Sequence, residues 1–194
     1  MEINSQGNIQ KLLDYFAENN IITISELGNL HLEAKAQNKP ITALLREKEI
    51  ITETELLKIV SKLYKLKIIN LSKSKVSKDV KYLLSEKILL NFSCVPVALE
   101  GKKLVMAFSM LPDNIFIESI ESVINKKIKI LLANHHEIVT LINKEIIPLF
   151  RTSGSRQDSS RRYDIYIAKL NSLAIFMIYS GIMSDKELEN FLED

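Results

Sequence analysis

The stretch Ile50-Ile51-Thr52-Glu53-Thr54-Glu55-Leu56 reads as the beginning of a helix. A hydroxyl residue followed three positions later by Glu forms a capping box. The hydroxyl accepts from a free N–H of the first turn, and the carboxylate reaches back to the N–H of the cap itself. Ile51 before the cap and Leu56 after the Glu add a hydrophobic staple that sets the entry angle of the chain. The same grammar occurs in Ile21-Ile22-Thr23-Ile24-Ser25-Glu26-Leu27 and in Ile182-Met183-Ser184-Asp185-Lys186-Glu187-Leu188. One match arises readily from common residues; three that share the apolar pair make a repeat.

Around these starts the apolar residues recur at helical spacing. Ile9, Leu12, Leu13 and Phe16 form one stripe, and Asn20 stands where a helix end favours a left-handed residue. Leu27, Leu30 and Ala34 line the second helix, with His31 placed on that inner stripe. Pro40 suits the first turn of a third helix, and Leu56, Ile59, Val60 and Leu63 line a fourth. Two helix pairs in tandem share a small core. The period then changes. Lys67 to Leu71 reads as a strand or extended connector, and Ser77 to Leu84 as a helix. Val95–Leu99 and Lys103–Phe108 flank a hairpin turn at Glu100-Gly101-Lys102, with Pro96 marking an edge or strand start. Helices are predicted from Pro112-Asp113 and over His135 to Glu145, with a strand over Lys127 to Leu132 between them.

Arg151 to Arg162 has no large apolar group and reads as a flexible linker, after which Ile165 to Ile178 resumes an apolar helix. The fold class is α+β. Residues 1–65 form a tandem helical-pair subdomain, 66–149 a small α/β subdomain, 150–163 the linker and 164–194 a C-terminal helix pair. A lone pair cannot hide its apolar face. This one is expected to dock on residues 9–63, on a second copy, or on a partner, through Ile175, Phe176, Met177, Tyr179, Phe191 and Leu192.

Nearly half of the 194 residues are apolar (46%), about a quarter are charged (26%), and the net charge is only +2. This is the balance of a globular protein and does not require nucleic acid. Cys94 is the sole cysteine, which excludes an internal disulfide and suggests a reducing compartment. Glu2, Asn4 and Gln6 stand where a secretory signal needs basic and apolar residues. The apolar run Leu173 to Tyr179 is far below the roughly 20 residues of a membrane span. The expected location is cytoplasmic.

Glu18-Asn19-Asn20-Ile21-Ile22-Thr23 through Leu27, Asn38-Lys39-Pro40-Ile41 through Leu56, Asn91 through Phe108 and Lys127 through Glu137 carry a family likeness. In this order and spacing they resemble the N-terminal domain of the type II secretion and type IV pilus assembly ATPases, the GspE and MshE families. The resemblance runs from about 9 to 146 and omits the linker and tail. It implies the regulatory and docking half of such a machine. The partners it implies are a membrane platform protein or a motor ATPase, reached peripherally at the inner membrane. No Gly-x-x-x-x-Gly-Lys-Ser/Thr occurs, and the five glycines are scattered, so no triphosphatase is expected and no catalytic residue is assigned.

Pilus relatives bind cyclic di-GMP through a repeated Arg-Leu-Gly, a later Gly before the apolar pair, and a closing Gln. Here the first copy holds Lys11-Leu12-Leu13, Asn20 and Ala34, and the second Pro40-Ile41-Thr42, Glu49 and Leu63. The tail keeps only Leu173, Ala174 and Gly181. Leu13 and Thr42 fill space a phosphate needs, and Glu49 adds negative charge. The alternative dinucleotide site would use Lys11, Leu12, Asn20 and Arg46.

Other clusters carry ordinary readings. His31, His135 and His136 do not assemble a metal set with Cys94 in sequence, so neither metal nor cofactor is expected. His135-His136 fits a helix-cap region. Lys58 through Lys87 holds nine lysines against Asp79 and Glu86, the pattern of a solvated face, with an acidic partner or anionic membrane as the functional options. A DNA-binding helix-turn-helix protein is a further alternative. Helix two, however, carries Gly28, Asn29 and Glu33 where base-reading groups belong. The leading expectation is a non-catalytic adaptor acting by protein–protein contact, with self-association through 164–194 as one form of it.

Overall fold

A computed structural model describes residues 5–37, 41–151, 159–184, 186–187 and 190. The chain divides into two units, Met1–Lys65 and Leu66–Asp194.

The first unit contains α1 (Ser5–Glu18), α2 (Ile24–Gln37), α3 (Ile41–Glu47) and α4 (Glu53–Tyr64). Both capping boxes close. The Thr23 N–H donates to Glu26 Oε2 at 2.9 Å and the Glu26 N–H to Thr23 Oγ1 at 3.2 Å; Thr52 and Glu55 repeat this at 3.0 and 3.3 Å. The turns before the boxes are also alike. Asn20 and Glu49 adopt left-handed φ of 52° and 55°. The N–H groups of Ile21 and Ile50 donate to the carbonyls of Phe16 and Leu45, both at 2.9 Å. This is the Schellman ending, which satisfies carbonyls the helix leaves unpaired. Each repeat is therefore one hydrogen-bonded device: a Schellman turn, an apolar pair, then a box.

The two repeats pair with exchange of partners. Lys11 on α1 donates to the Leu63 carbonyl of α4 at 3.3 Å, while Glu33 on α2 meets Lys48, just beyond α3, at 2.8 Å. Leu12, Phe16, Ile41 and Leu45 are buried at corresponding positions. His31 is exposed, contrary to its expected place on the inner stripe. Leu30 and Ala34 take the core face, and the adjacent position turns about 100° away from it. Replacing Thr52 with alanine removes the box from α4 and is expected to cost about 1 kcal/mol, read as a lower urea midpoint. An unchanged midpoint would show that the cap contributes nothing there.

The second unit is built on strands β1 (Cys94–Glu100), β2 (Lys103–Phe108) and β3 (Lys127–Leu132), in that spatial order. β1 runs antiparallel to β2, and β3 parallel to β2. Pro96, which has no N–H to donate, lies on the outer strand where the register slips between Pro96 and Ala98. α6 (Asn114–Ile124), capped by Asp113, crosses from β2 to β3, and α7 (His135–Glu145) starts at Asn134, whose Oδ1 accepts from the His136 N–H at 2.9 Å. Lys67 to Leu71 is the extended connector: the Ile69 N–H donates to the Leu132 carbonyl at 2.8 Å.

The predicted helix from Ser77 to Leu84 is only a 3-10 turn at Lys78–Val80. The Ser77 N–H donates to the Val97 carbonyl on β1 at 2.9 Å, so the sheet edge claims this segment before a helix can. Two short helices, α5 (Glu86–Asn91) and α8 (Ile147–Arg151), were not anticipated. α9 (Ser159–Tyr179) begins inside the segment read as linker, whose residues 152–158 lie outside the described residues. It packs against α6 of this same unit, a placement absent from the three docking options read from the sequence.

Candidate functional site

Three contacts clamp α9. Its inner face buries Ile165, Ala168, Ser172 and Ile175. The Ser172 hydroxyl accepts from the Ser85 N–H at 3.0 Å and donates to the Ala168 carbonyl at 2.8 Å, so this buried polar group is satisfied on both sides. The third contact is aromatic. Phe92 and Phe116 stack with centroids 3.8 Å apart, and Tyr179 presents its edge to both, at 5.2 and 6.0 Å. Burial, with the nearby Asp113 charge adding to it, raises the Tyr179 phenol above its ordinary value.

A second stripe of α9 is apolar and uncovered. Tyr163, Tyr166, Leu170 and Leu173 are exposed and Met177 is half-buried. Their spacings of three and four residues place them on one stripe, turned away from Ile165, Ala168 and Ile175. Phe176, 54% exposed, flanks that stripe. At the end of α9 the repeat device occurs a third time. Gly181 has φ 72°, the Ile182 N–H donates to the Met177 carbonyl at 2.9 Å, and the Ser184 N–H donates to Glu187 Oε2 at 2.7 Å. In all three boxes hydrogen bonds from the hydroxyl residue hold the Glu carboxyl (Glu26, Glu55, Glu187) below its ordinary value.

Of the docking residues named from sequence, Ile175 is buried in the α9 inner face and Tyr179 is engaged with Phe92 and Phe116. Phe176 and Met177 remain on or beside the open stripe, while Phe191 and Leu192 lie outside the described residues. Sequence reasoning missed Tyr163, Tyr166, Leu170 and Leu173. The signal was present in the repeat: counting back from the turn, Leu173 corresponds to Leu12 and Ile41.

Each of the alternative dinucleotide residues has its own local surroundings. Lys11 caps the end of α4 and stands 5.4 Å over the Tyr64 ring, and Leu12 is buried. Asn20 forms the left-handed turn. Arg46 lines a shallow depression with Glu47, Glu49 and Glu53, and its Nε has no hydrogen-bond partner among the described residues. Lys11 and Arg46 fall at non-equivalent repeat positions, so they do not form a matched pair of phosphate contacts. Cys94 is buried, which pushes its thiol well up and away from nucleophilic chemistry. No helix among the described residues is long and apolar enough to cross a membrane.

The sheet, α6 and all but the last residue of α7 lie within the segment that matches a known domain, from 64 to 144. The family model for the MshEN domain matches residues 64–144. The helices α8 and α9 follow it. The structure described as MshE with cdg shares the fold at 21% identity and a TM-score of 0.55, over 68% of this chain and 95% of that one. The N-terminal domain of XpsE does so at 17% identity and a TM-score of 0.61, over 75% of this chain and 99% of that one. At these identities the likeness is one of fold. No curated protein matches the chain significantly.

Proposed function

We propose that this chain is a non-catalytic docking or regulatory module of a type II secretion or type IV pilus machine, acting by protein–protein contact. The observation that carries the reading is the uncovered apolar stripe of α9, packed beside the segment that the MshEN model matches. Contiguous apolar surface of this kind marks contact sites. The partner class is the motor ATPase or the cytoplasmic part of the membrane platform, so the module works at the cytoplasmic face through that partner. The test is co-elution of the full chain with each of these two components from its own system. Co-elution with one of them, lost on Phe176→Asp, supports the reading. Co-elution with neither overturns it.

A second reading, a cyclic di-GMP sensor, rests on the left-handed backbone kept at Asn20 and Glu49, where binding relatives carry glycine. The carboxylates beside Arg46 oppose it. Calorimetric titration with the dinucleotide decides: no heat at high micromolar concentration removes this reading.

A further inference from the structure

The first two repeats bury the same positions, and the third leaves them open. Counting back from the left-handed residue, Leu12 and Phe16 of α1 and Ile41 and Leu45 of α3 are all buried. Their counterparts on α9 are Leu173, which is 55% exposed, and the half-buried Met177. The α9 helix is thus apolar on two faces. One is satisfied by α6, and the other carries the positions that the first two repeats bury.

We infer that this face pairs with the same face on a second copy of the chain, repeat on repeat. The inference rests on reading the stripe as a contact surface and assigns the stripe itself to a second copy, the machine component binding the resulting pair rather than the stripe. The corresponding faces of α1 and α3 are buried in the first unit, so among the described residues the vacant face of this kind left to meet it is that of α9 on another copy. The spacing supports helix-on-helix contact. Tyr163, Tyr166, Leu170, Leu173 and Met177 recur at alternating steps of three and four, the seam of two helices packed side by side. The area is also adequate. With Phe176 and Ile182 included, the exposed groups present on the order of 700 Å² per copy, taking about 200 Å² for each fully exposed large side chain. Stable interfaces use roughly 800 Å² per partner. Pairing of identical patches closes as a two-fold dimer and leaves no open end for further growth. A component of the machine then meets two modules together.

Sedimentation equilibrium of the full chain between about 1 and 100 μM tests this. The expected result is a monomer–dimer equilibrium that Leu173→Asp with Phe176→Asp weakens at least ~30-fold, with the circular dichroism spectrum unchanged. Leu32→Asp, a more exposed apolar residue of α2 outside the repeat face, should leave the equilibrium intact. Should the double aspartate variant misfold, Leu173→Ala with Phe176→Ala serves in its place, with at least ~10-fold weakening expected. A wild-type chain that stays monomeric at 100 μM overturns the pairing, as does a dimer that either folded variant retains. A monomeric wild type that still co-elutes with its machine component overturns the pairing alone. A dimer that co-elutes with neither component overturns the machine reading alone.

Discussion

Phe116→Ala is expected to destabilise the second unit by about 3–5 kcal/mol. The ring is 1% exposed, stacked on Phe92 and met edge-on by Tyr179. Its removal deletes buried apolar surface and leaves a cavity that the sheet and two helices cannot close without moving. Each aromatic pair contributes about 0.5–1.5 kcal/mol beyond its area, and the substitution breaks two of them. Since domains are stable by only about 5–15 kcal/mol, α9 should loosen before the sheet does. Urea unfolding should show the lowered midpoint, and limited proteolysis should cut within Ser159–Tyr179 faster than in wild type. A loss under about 1 kcal/mol, with α9 still protected, would mean that the aromatic cluster does not hold the helix.

Phe16→Ala and Met177→Ala change the same position of the repeat and should behave differently. Both residues supply the carbonyl that closes the turn, to Ile21 and Ile182 respectively, at the same 2.9 Å. Phe16 is fully buried, so its truncation should cost about 3–5 kcal/mol. Met177 is half-buried and its truncation should cost under about 1 kcal/mol. The comparison is made by urea unfolding below the concentration at which copies associate. Equal losses would show that Met177 is covered as fully as Phe16 in the isolated chain, and the open face of α9 would not exist.

Much of the second unit was legible because its signals are short-range. Gly101 in the hairpin turn, Asp113 capping α6 and the alternation through Lys127 and Lys129 each act within a few residues. Ser77 to Leu84 shows the limit. Val80 and Leu84 are spaced as on a helix and both are buried, yet the Val97 carbonyl draws the Ser77 N–H to the sheet edge and leaves a single tight turn. Tertiary context overrides a weak local preference there. For the candidate site, sequence pattern picked out Phe176 and Met177 as apolar. It could not separate them from Ile175 and Tyr179, because all four lie on one continuous apolar run.

What the sequence alone determined is the repeat: three helix starts, and the left-handed residue at Asn20 before the first of them, made by hydrogen bonds between residues three to five positions apart. Bonds of that range follow from residue type and order with little help from the rest of the chain. What only the tertiary structure decided is which apolar face each copy covers. The first two copies close on one another. The third is turned by the Ser85–Ser172 bond and by the Phe92, Phe116 and Tyr179 rings, so that its inner face meets α6 and its repeat face meets solvent. Those partners lie far apart in sequence, and burial is non-directional, so any apolar face satisfies any other until shape and long-range hydrogen bonds choose between them.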